Sequence, residues 1–518
     1  MDFGGQRATI LGLAREGTAL ARFLAEGGAT VTVSDIKSRE DLSKGIEALA
    51  GLPIRFVLGG HPTEILEADV VFVSPGVPLE VPILVEARKR GIPISSETRL
   101  FAQLCPAPIV GVTGSSGKTT TTALVGGMLE KAGYRTWVGG NIGQPLIGYL
   151  TDIRPEDKVV MELSSFQLEF FAPAPRERVT RLRSQIAPAG LQIQRPGGGL
   201  QIRREQKGPF AFTDRGWSPP IAAILNITPN HLDRHPTMEA YTEAKINILR
   251  YQGADDVAVL GYDNPITRGL IHSQFSVPNS PSVLSFSLRT EVEQGAFVRA
   301  CPEPFGFAQD RLRRDGKVVL RLGEEEWQIC AVADIKLLGQ HNVENVLAAC
   351  AIAGATGAET QSMAQVATTF AGIEHRLELV RTLRGVRYYN DSIATSPERT
   401  VAALRSFEEP IVLLAGGRDK HLPWEEMAQV TLRKVRHLVL FGEAAPIIER
   451  AIHDVQRTMH NAQLAIHQCT TLEEAVEVAA RNAQPGDVVL LAPGGTSFDA
   501  FRDFAERGER FRELVGAL

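Results

Sequence analysis

The residues best suited to handle a phosphate group lie in one stretch of the chain. Gly111, Gly114 and Gly117 are followed at once by Lys118, Thr119 and Thr120, with Ser115 and Ser116 between the last two glycines. Glycines let backbone N–H groups turn inward toward phosphate oxygens. A lysine directly after them would reach the outer phosphates, and the next hydroxyl would hold Mg²⁺. Apolar residues 108–110 predict a strand upstream, and residues 119–131 predict a helix whose N-terminus adds its positive end. The common spacing of such loops would put the first glycine at position 112, which is Val112 here. An ordinary glycine turn before a helix is therefore the alternative.

Further chemistry-bearing residues fall at the ends of predicted strands. Glu162 interrupts the apolar run 158–163. A carboxylate in a buried strand needs a partner, either a salt bridge or Mg²⁺, and the loop upstream favours the metal. A strand predicted at 221–228 runs into His231, Asp233, Arg234 and His235, where open α/β sheets place ligands. Lys245 follows on a helix predicted at 238–251; spacing alone reads it as a solvated surface lysine. Near the N-terminus a strand at 8–13, a helix at 18–27 and a strand at 30–33 make a βαβ start. Its Gly12-to-Gly17 turn lacks the middle glycine of the dinucleotide fingerprint. Asp35 either meets a nucleotide or ends its strand. Ser74 follows the strand 70–73, and Asn141 is the one amide in a loop of small residues at 137–143. Asn342 and Asn345 open an alanine-rich helix, at a place where a base or phosphate could sit. Arg376 and Asp391 open the last third of the chain, Asp391 at the end of a strand at 386–391.

The elements that position these residues alternate strand and helix, which predicts α/β architecture with parallel sheets. A chain of 518 residues is too long for one core, and three domains are expected. Their predicted bounds are 1–104, 105–372 and 373–518. Residues 176–219 and 303–316 are basic and carry no sustained apolar period, and read as inserted loops. A nucleic-acid patch is the alternative for the first, but the net charge of −5 argues against nucleic-acid binding as the main task. Five cysteines occur without a C-x-x-C pair, so neither a disulfide framework nor a zinc site is expected. No signal-peptide pattern and no apolar run of membrane-spanning length are read, and a monomer in the cytoplasm is expected.

Together these motifs resemble the Mur ligase family of ATP-dependent amide-forming enzymes. The resemblance rests on the Gly111–Thr120 loop and on the stretches beginning at Gly140, Glu162, Asn226, His231, Gly339, Glu374 and Asn390. The displaced first glycine is that family's own form of the loop. The resemblance implies an N-terminal Rossmann-like domain, a central P-loop ATPase-type parallel sheet and a C-terminal Rossmann-like domain. It implies ATP and two Mg²⁺ sites, with Gly114, Ser115, Ser116, Gly117, Lys118, Thr119 and Thr120 on the phosphates and Asn342, Asn345, Arg376 and Asp391 on the rest of ATP. Thr119 and Glu162 would hold one metal, and His231 and a carbamylated Lys245 the other, with Lys118, His231 and Lys245 catalytic.

Ser74-Pro-Gly and the ending from Leu491 to Gly508 point within the family to D-glutamate as the amine and UDP-N-acetylmuramoyl-L-alanine as the acid. Arg15, Glu16, Asp35, Ser74 and Asn141 would bind the latter; Thr395, Lys420, Ser497 and Phe504 would bind the former. ATP contacts drawn from two domains imply closure during turnover. A family ligase adding another amino acid, or one like folylpolyglutamate synthase, is the alternative. The chain departs from many members at Ile393, where they carry lysine.

Overall fold

Three sheets carry the chain, and their central strands have apolar runs buried on both faces. The computed structural model describes residues 1–172, 216–229, 235, 237–274, 280–299, 316–420, 422–457 and 464–518. The predicted insertions lie outside the described residues, apart from 216–219 and 316.

The first sheet contains β1 (Arg7–Leu11), β2 (Thr30–Asp35), β3 (Ile54–Leu58), β4 (Val70–Val73) and β5 (Ile94–Ser95), in the order β3-β2-β1-β4-β5. Its printed pairings are all parallel. The chain runs outward from β1 to β3, then returns to the other side of β1 as β4. That reversal opens a crevice at the carboxyl ends of β1 and β4, the usual ligand position in such sheets. Gly12 and Ser74 occupy it, and Ser74 Oγ donates to Gly12 O at 2.9 Å. The helix Arg15–Glu26 begins there and buries Leu20, Ala21 and Leu24 against the sheet.

The second sheet contains β6 (Ile109–Thr113), β7 (Thr136–Gly140), β8 (Lys158–Glu162), β9 (Ile221–Ile224), β10 (Val257–Gly261), β11 (Ser282–Ser287), β12 (Gly295–Arg299), β13 (Lys317–Leu322) and β14 (Glu325–Ala331). Its order is β14-β13-β12-β11-β10-β9-β6-β8-β7. From β7 through β12 the strands are parallel. The glycine loop, Glu162 and Asn226 lie at the carboxyl ends of β6, β8 and β9, which are neighbours. One apolar cluster joins Phe3, Leu20 and Phe101 to Leu146, Leu163 and Leu260, so the first sheet and the strands of the second share a core.

The third sheet contains β15 (Glu378–Leu383), β16 (Val386–Asn390), β17 (Ile411–Gly416), β18 (Val435–Phe441), β19 (Ala465–Gln468) and β20 (Val488–Gly494), in the order β15-β16-β20-β17-β18-β19. Its edge strand β15 is antiparallel to β16, and the other pairs are parallel. By compactness the chain forms two units. One comprises Met1–Phe297, Leu320–Glu326 and Ala348–Ser362; the other comprises Val298–Val319, Trp327–Leu347 and Met363–Leu518.

Local departures from the sequence reading have physical causes. Residues 137–140, expected as part of a loop, belong to β7, because small residues are tolerated where neighbouring backbone passes close. The helix expected from 238 to 251 stops at Ile246. The last helix, Phe504–Ala517, begins where Asp503 caps it by accepting from Glu506 N at 2.9 Å.

Candidate active site

β6 is buried along its whole length, so the chain turns only where it leaves the sheet at Thr113. Gly117 ends that turn with φ 82°, a left-handed conformation that favours glycine, and caps the helix Lys118–Lys131. The loop is tied to the end of β9. Asn226 Oδ1 accepts from Ser116 N at 2.9 Å, and Asn226 O accepts from Ser115 N at 2.9 Å. Ser115 Oγ accepts from Thr228 N at 2.9 Å and donates to Thr228 O at 3.0 Å. These bonds set the loop shape without a ligand. Lys118 Nζ folds back onto the loop, donating to Gly114 O at 2.9 Å. Thr119 is half-buried in the first helical turn; Thr120 is buried, so a phosphate would meet it through its backbone N–H.

Glu162 closes β8 and is 2% exposed. Its Oε1 accepts from Asn141 Nδ2 at 2.8 Å, while its Oε2 has no partner among the described residues. Leaving a buried acceptor unmet costs about 1–3 kcal/mol. A divalent cation would meet it, so the residues present fit a bound Mg²⁺. The approach of β7 to the backbone of β8 at Glu162 requires Gly140, where φ is 91° and a Cβ would lie 2.4 Å from the Glu162 carbonyl oxygen.

Lys245 is not the surface lysine that its spacing suggests. It is 1% exposed, and its Nζ donates to Gly114 O at 2.9 Å, with Thr113 Oγ1 at 3.4 Å. Lys118 and Lys245 thus share one carbonyl acceptor. Burial drives the Lys245 ammonium well below its ordinary pKa, the Lys118 charge adds to this, and Glu162 opposes it. His235 is structural: its Nε2 lies 3.0 Å from Ser165 Oγ and its ring stacks on Phe166. His231, Asp233 and Arg234 lie outside the described residues.

Asp35 anchors the turn after β1: its Oδ2 accepts from Leu13 N at 2.8 Å and its Oδ1 from Lys37 N at 3.0 Å. Arg15 donates to Gly143 O at 2.6 Å and to Asn141 O at 3.3 Å, which joins the first crevice to the Asn141 loop. Glu16 is buried, and its Oε1 accepts from Gln167 Nε2 at 3.0 Å.

In the second unit, three adjacent strand ends gather the remaining residues. Asp391 follows β16, Ser497 follows β20, and Lys420 follows β17. Arg418 and Thr496 exchange backbone hydrogen bonds of 2.8 Å, which brings the Lys420 loop beside Ser497. Ser392 Oγ donates to Phe504 O at 2.7 Å. Thr395 lies in the same turn, its N–H donating to Ile393 O at 2.8 Å.

The sequence reading missed Arg507, whose side chain is fully buried. It donates to Ser392 O at 2.9 Å and to Gly495 O at 3.3 Å, stitching the turns after β16 and β20 together. Burial lowers its pKa to about 10. Asp391 Oδ1 accepts from Leu377 N at 3.1 Å, and burial raises its pKa to about 6 against the pull of Arg376. His375 and Leu377, flanking Arg376, both have left-handed backbone, with φ 62° and 44°. Asn345 Nδ2 donates to Asn342 Oδ1 at 3.0 Å, so the two amides form one polar step.

Family models match three stretches of the chain. The Mur ligase MurD-like N-terminal domain matches residues 6–96, the Mur ligase middle domain matches 112–174 and 212–353, and the Mur ligase glutamate ligase domain matches 375–495. A UDP-N-acetylmuramoylalanine–D-glutamate ligase of Acetivibrio thermocellus is 39% identical over 99% of this chain and 97% of its own length. Its namesake from Symbiobacterium thermophilum is 40% identical over 99% and 98%.

The chain belongs to the Mur ligase family.

Among solved structures, the Mur ligase fold here resembles UDP-N-acetylmuramate–alanine ligase MurC of Thermotoga maritima, with a TM-score of 0.57 at 18% identity over 99% of each chain. MurF of Acinetobacter baumannii matches with a TM-score of 0.53 at 16% identity, covering 94% of this chain and 90% of that one. In this Mur ligase the phosphate loop, Asn141, Glu162 and Lys245 converge within the first unit, and Arg376, Asp391, Thr395, Lys420, Ser497 and Phe504 are grouped in the second.

Proposed function

We propose that this chain catalyses ATP-dependent ligation of D-glutamate to UDP-N-acetylmuramoyl-L-alanine, releasing ADP and phosphate. The observation that carries the reading is the convergence of Lys118 and Lys245 on the Gly114 carbonyl, with the Glu162 carboxylate near enough to act on the Lys245 charge. The full-length relatives named as D-glutamate ligases supply the substrates.

A carboxylate is a poor electrophile. In the first step a carboxylate oxygen of the alanyl substrate bonds to the γ-phosphorus of ATP, and the bond to the ADP oxygen breaks. The amine of D-glutamate then attacks the acyl carbon, and inorganic phosphate leaves. Negative charge crowds together in the first step, and Lys118 with the loop N–H groups offsets it. Thr119 and Glu162 on the nucleotide side, and His231 and Lys245 on the other, would hold Mg²⁺, which when bound would supply further charge neutralisation.

A bare lysine serves a cation poorly. The buried Lys245 amine is biased toward its uncharged form, which can add to CO₂, giving a carbamate and releasing a proton. The new carboxylate-like group turns repulsion from Lys118 into attraction. Asp35, Ser74 and Asn141 hold the sugar-nucleotide acid, with the backbone of Arg15 and Glu16, at the Gly12-to-Gly17 turn, beside its diphosphate. Asn342, Asn345, Arg376 and Asp391 bind ATP. Thr395, Ser497, Phe504 and the Lys420 cation form the D-glutamate pocket. The enzyme works as a cytoplasmic monomer with domain bounds near 104 and 372; among the described residues no helix is long and apolar enough to cross a membrane.

The test is phosphate release by the purified chain with ATP, Mg²⁺ and UDP-N-acetylmuramoyl-L-alanine, adding D-glutamate, L-lysine and meso-diaminopimelate in turn. Release with D-glutamate alone is expected. Release with either of the others but not D-glutamate would overturn the assignment.

A further inference from the structure

Two acidic side chains, neither of them among the metal-side residues, are buried together where the first and second sheets share their core. Glu16 lies in the first turn of the helix Arg15–Glu26 and is 8% exposed. Glu97 opens the helix Glu97–Leu104 and is 6% exposed. Both line one small void with Ile10, Gly17, Phe72 and Ser74. Each reaches across to an element of the second sheet's layer. Glu97 Oε1 accepts from Ile147 N at 3.3 Å, and Glu16 Oε1 accepts from Gln167 Nε2 at 3.0 Å. Thr98 Oγ1 donates to Glu97 Oε2 at 3.3 Å. Glu16 Oε2 has no partner among the described residues.

The groups facing this pair are otherwise neutral. The helix Ser165–Glu169 presents Gln167, the turn Leu146–Tyr149 presents the backbone N–H of Ile147, and the turn after β4 presents Ser74. Among the described residues the one cation acting on the pair is Arg15, whose guanidinium is bound to the carbonyls of Gly143 and Asn141 rather than to either carboxyl group. Two like charges confined here have no adequate counter-charge. One proton in the void relieves both the repulsion and the orphaned oxygen. Burial raises Glu97 to about 8, with the charge of Glu16 adding to it, and burial raises Glu16 to about 7 against the pull of Arg15.

Glu16 follows directly on the turn assigned above to the substrate diphosphate. We propose that Glu16 and Glu97 form a proton-holding carboxyl pair that positions the Gly12-to-Gly17 turn and keeps it free of negative charge, so that the sugar-nucleotide diphosphate can dock. This rests on the proposed use of a UDP-linked acid. Glu16 and Glu97 act through the turn and do not touch reacting atoms. When the pair loses its protons, the diphosphate meets fixed negative charge in a poorly screened site.

The experiment measures KM for UDP-N-acetylmuramoyl-L-alanine, D-glutamate and ATP from pH 6 to pH 9 in the wild type, Glu97→Gln and the double variant E16Q/E97Q. In the wild type, KM for the UDP-linked acid should rise roughly fivefold or more across this range, the size expected of one added charge in a partly screened site. KM for D-glutamate and ATP should not follow that rise. In E16Q/E97Q the ratio of KM at high and low pH should fall to near one. In E97Q the rise should begin at lower pH, because one carboxylate with an amide donor beside it ionises more easily. Turnover with the same rise in all three proteins, or no rise in the wild type, would overturn the pair's role. Failure of the wild type to use the UDP-linked acid at any pH would instead overturn the ligase reading on which it rests.

Discussion

The first unit buries ionisable groups in two places and solves the problem in opposite ways. At the phosphate loop, Lys245 and Lys118 share the Gly114 carbonyl with Glu162 nearby, and the buried amine is pushed to give up its proton. At the junction of the first two sheets, Glu16 and Glu97 are alike in sign, and both are pushed to keep theirs. Burial disfavours charge in each case. The sign of the side chain decides what remains: a nucleophilic amine in one place, a stored proton in the other. The first suits chemistry beside ATP, and the second suits quiet support of an anionic substrate.

The comparison is broken most severely at the loop. Lys118→Ala should reduce turnover about a thousandfold or more, as loss of a preorganised charge at a phosphoryl group does, measured as phosphate release with folding checked by circular dichroism. Unchanged turnover would remove the loop from the chemistry. Lys245→Ala should lose nearly all activity and regain part of it in added short-chain carboxylate, which replaces the carbamate. Activity that no carboxylate restores would leave Lys245 with a packing role. Glu162→Gln keeps shape and removes charge, and should raise the Mg²⁺ concentration needed for half-maximal rate by roughly ten- to a hundredfold. The same Mg²⁺ dependence in variant and wild type would assign the orphaned oxygen to another partner.

Stability against pH sharpens the contrast with the smallest effect. The carboxyl pair has folded pKa values raised from 4.5 to about 7 and about 8, so its contribution is complete at low pH and is lost as pH rises through those values. Lys245 has a folded pKa below 10.5, so its contribution is present at high pH and is lost as pH falls through that lowered value. E16Q/E97Q should flatten the fall of the melting temperature as pH rises from 4.5 to about 8, and Lys245→Met the fall as pH is lowered from 10.5, each by a few degrees at most. Both variants flattening a fall in the same direction of pH change would contradict the assignment of signs.

What could be read from the chain followed the range of the forces involved. The loop at 111–120 was legible because glycine freedom, lysine reach and helix start act over neighbouring residues. The strand ends at Asp35, Ser74, Glu162 and Asp391 were legible for the same reason. Lys245 was not, because a helix written Met238–Ile246 gives little hint of which face is sealed. Its burial depends on contact with Thr113 and Gly114 far upstream. The Glu16–Glu97 pair was invisible for the same reason, since the rest of the first sheet intervenes. Arg507 reads as one charge in a charged helix, and only the meeting of Ser392 and Gly495 makes it a stitch. Asp503 and Glu506 did carry a local cap signal, which would have placed the last helix start at Phe504.

The account turns on Lys245 being an uncharged amine beside Lys118. The direct test is ¹³C NMR of the wild-type chain and Lys245→Ala in ¹³C-bicarbonate. A carbamate carbonyl signal is expected in the wild type, absent from the variant, and growing with bicarbonate together with turnover. An active wild type that shows no such signal at saturating bicarbonate would contradict it.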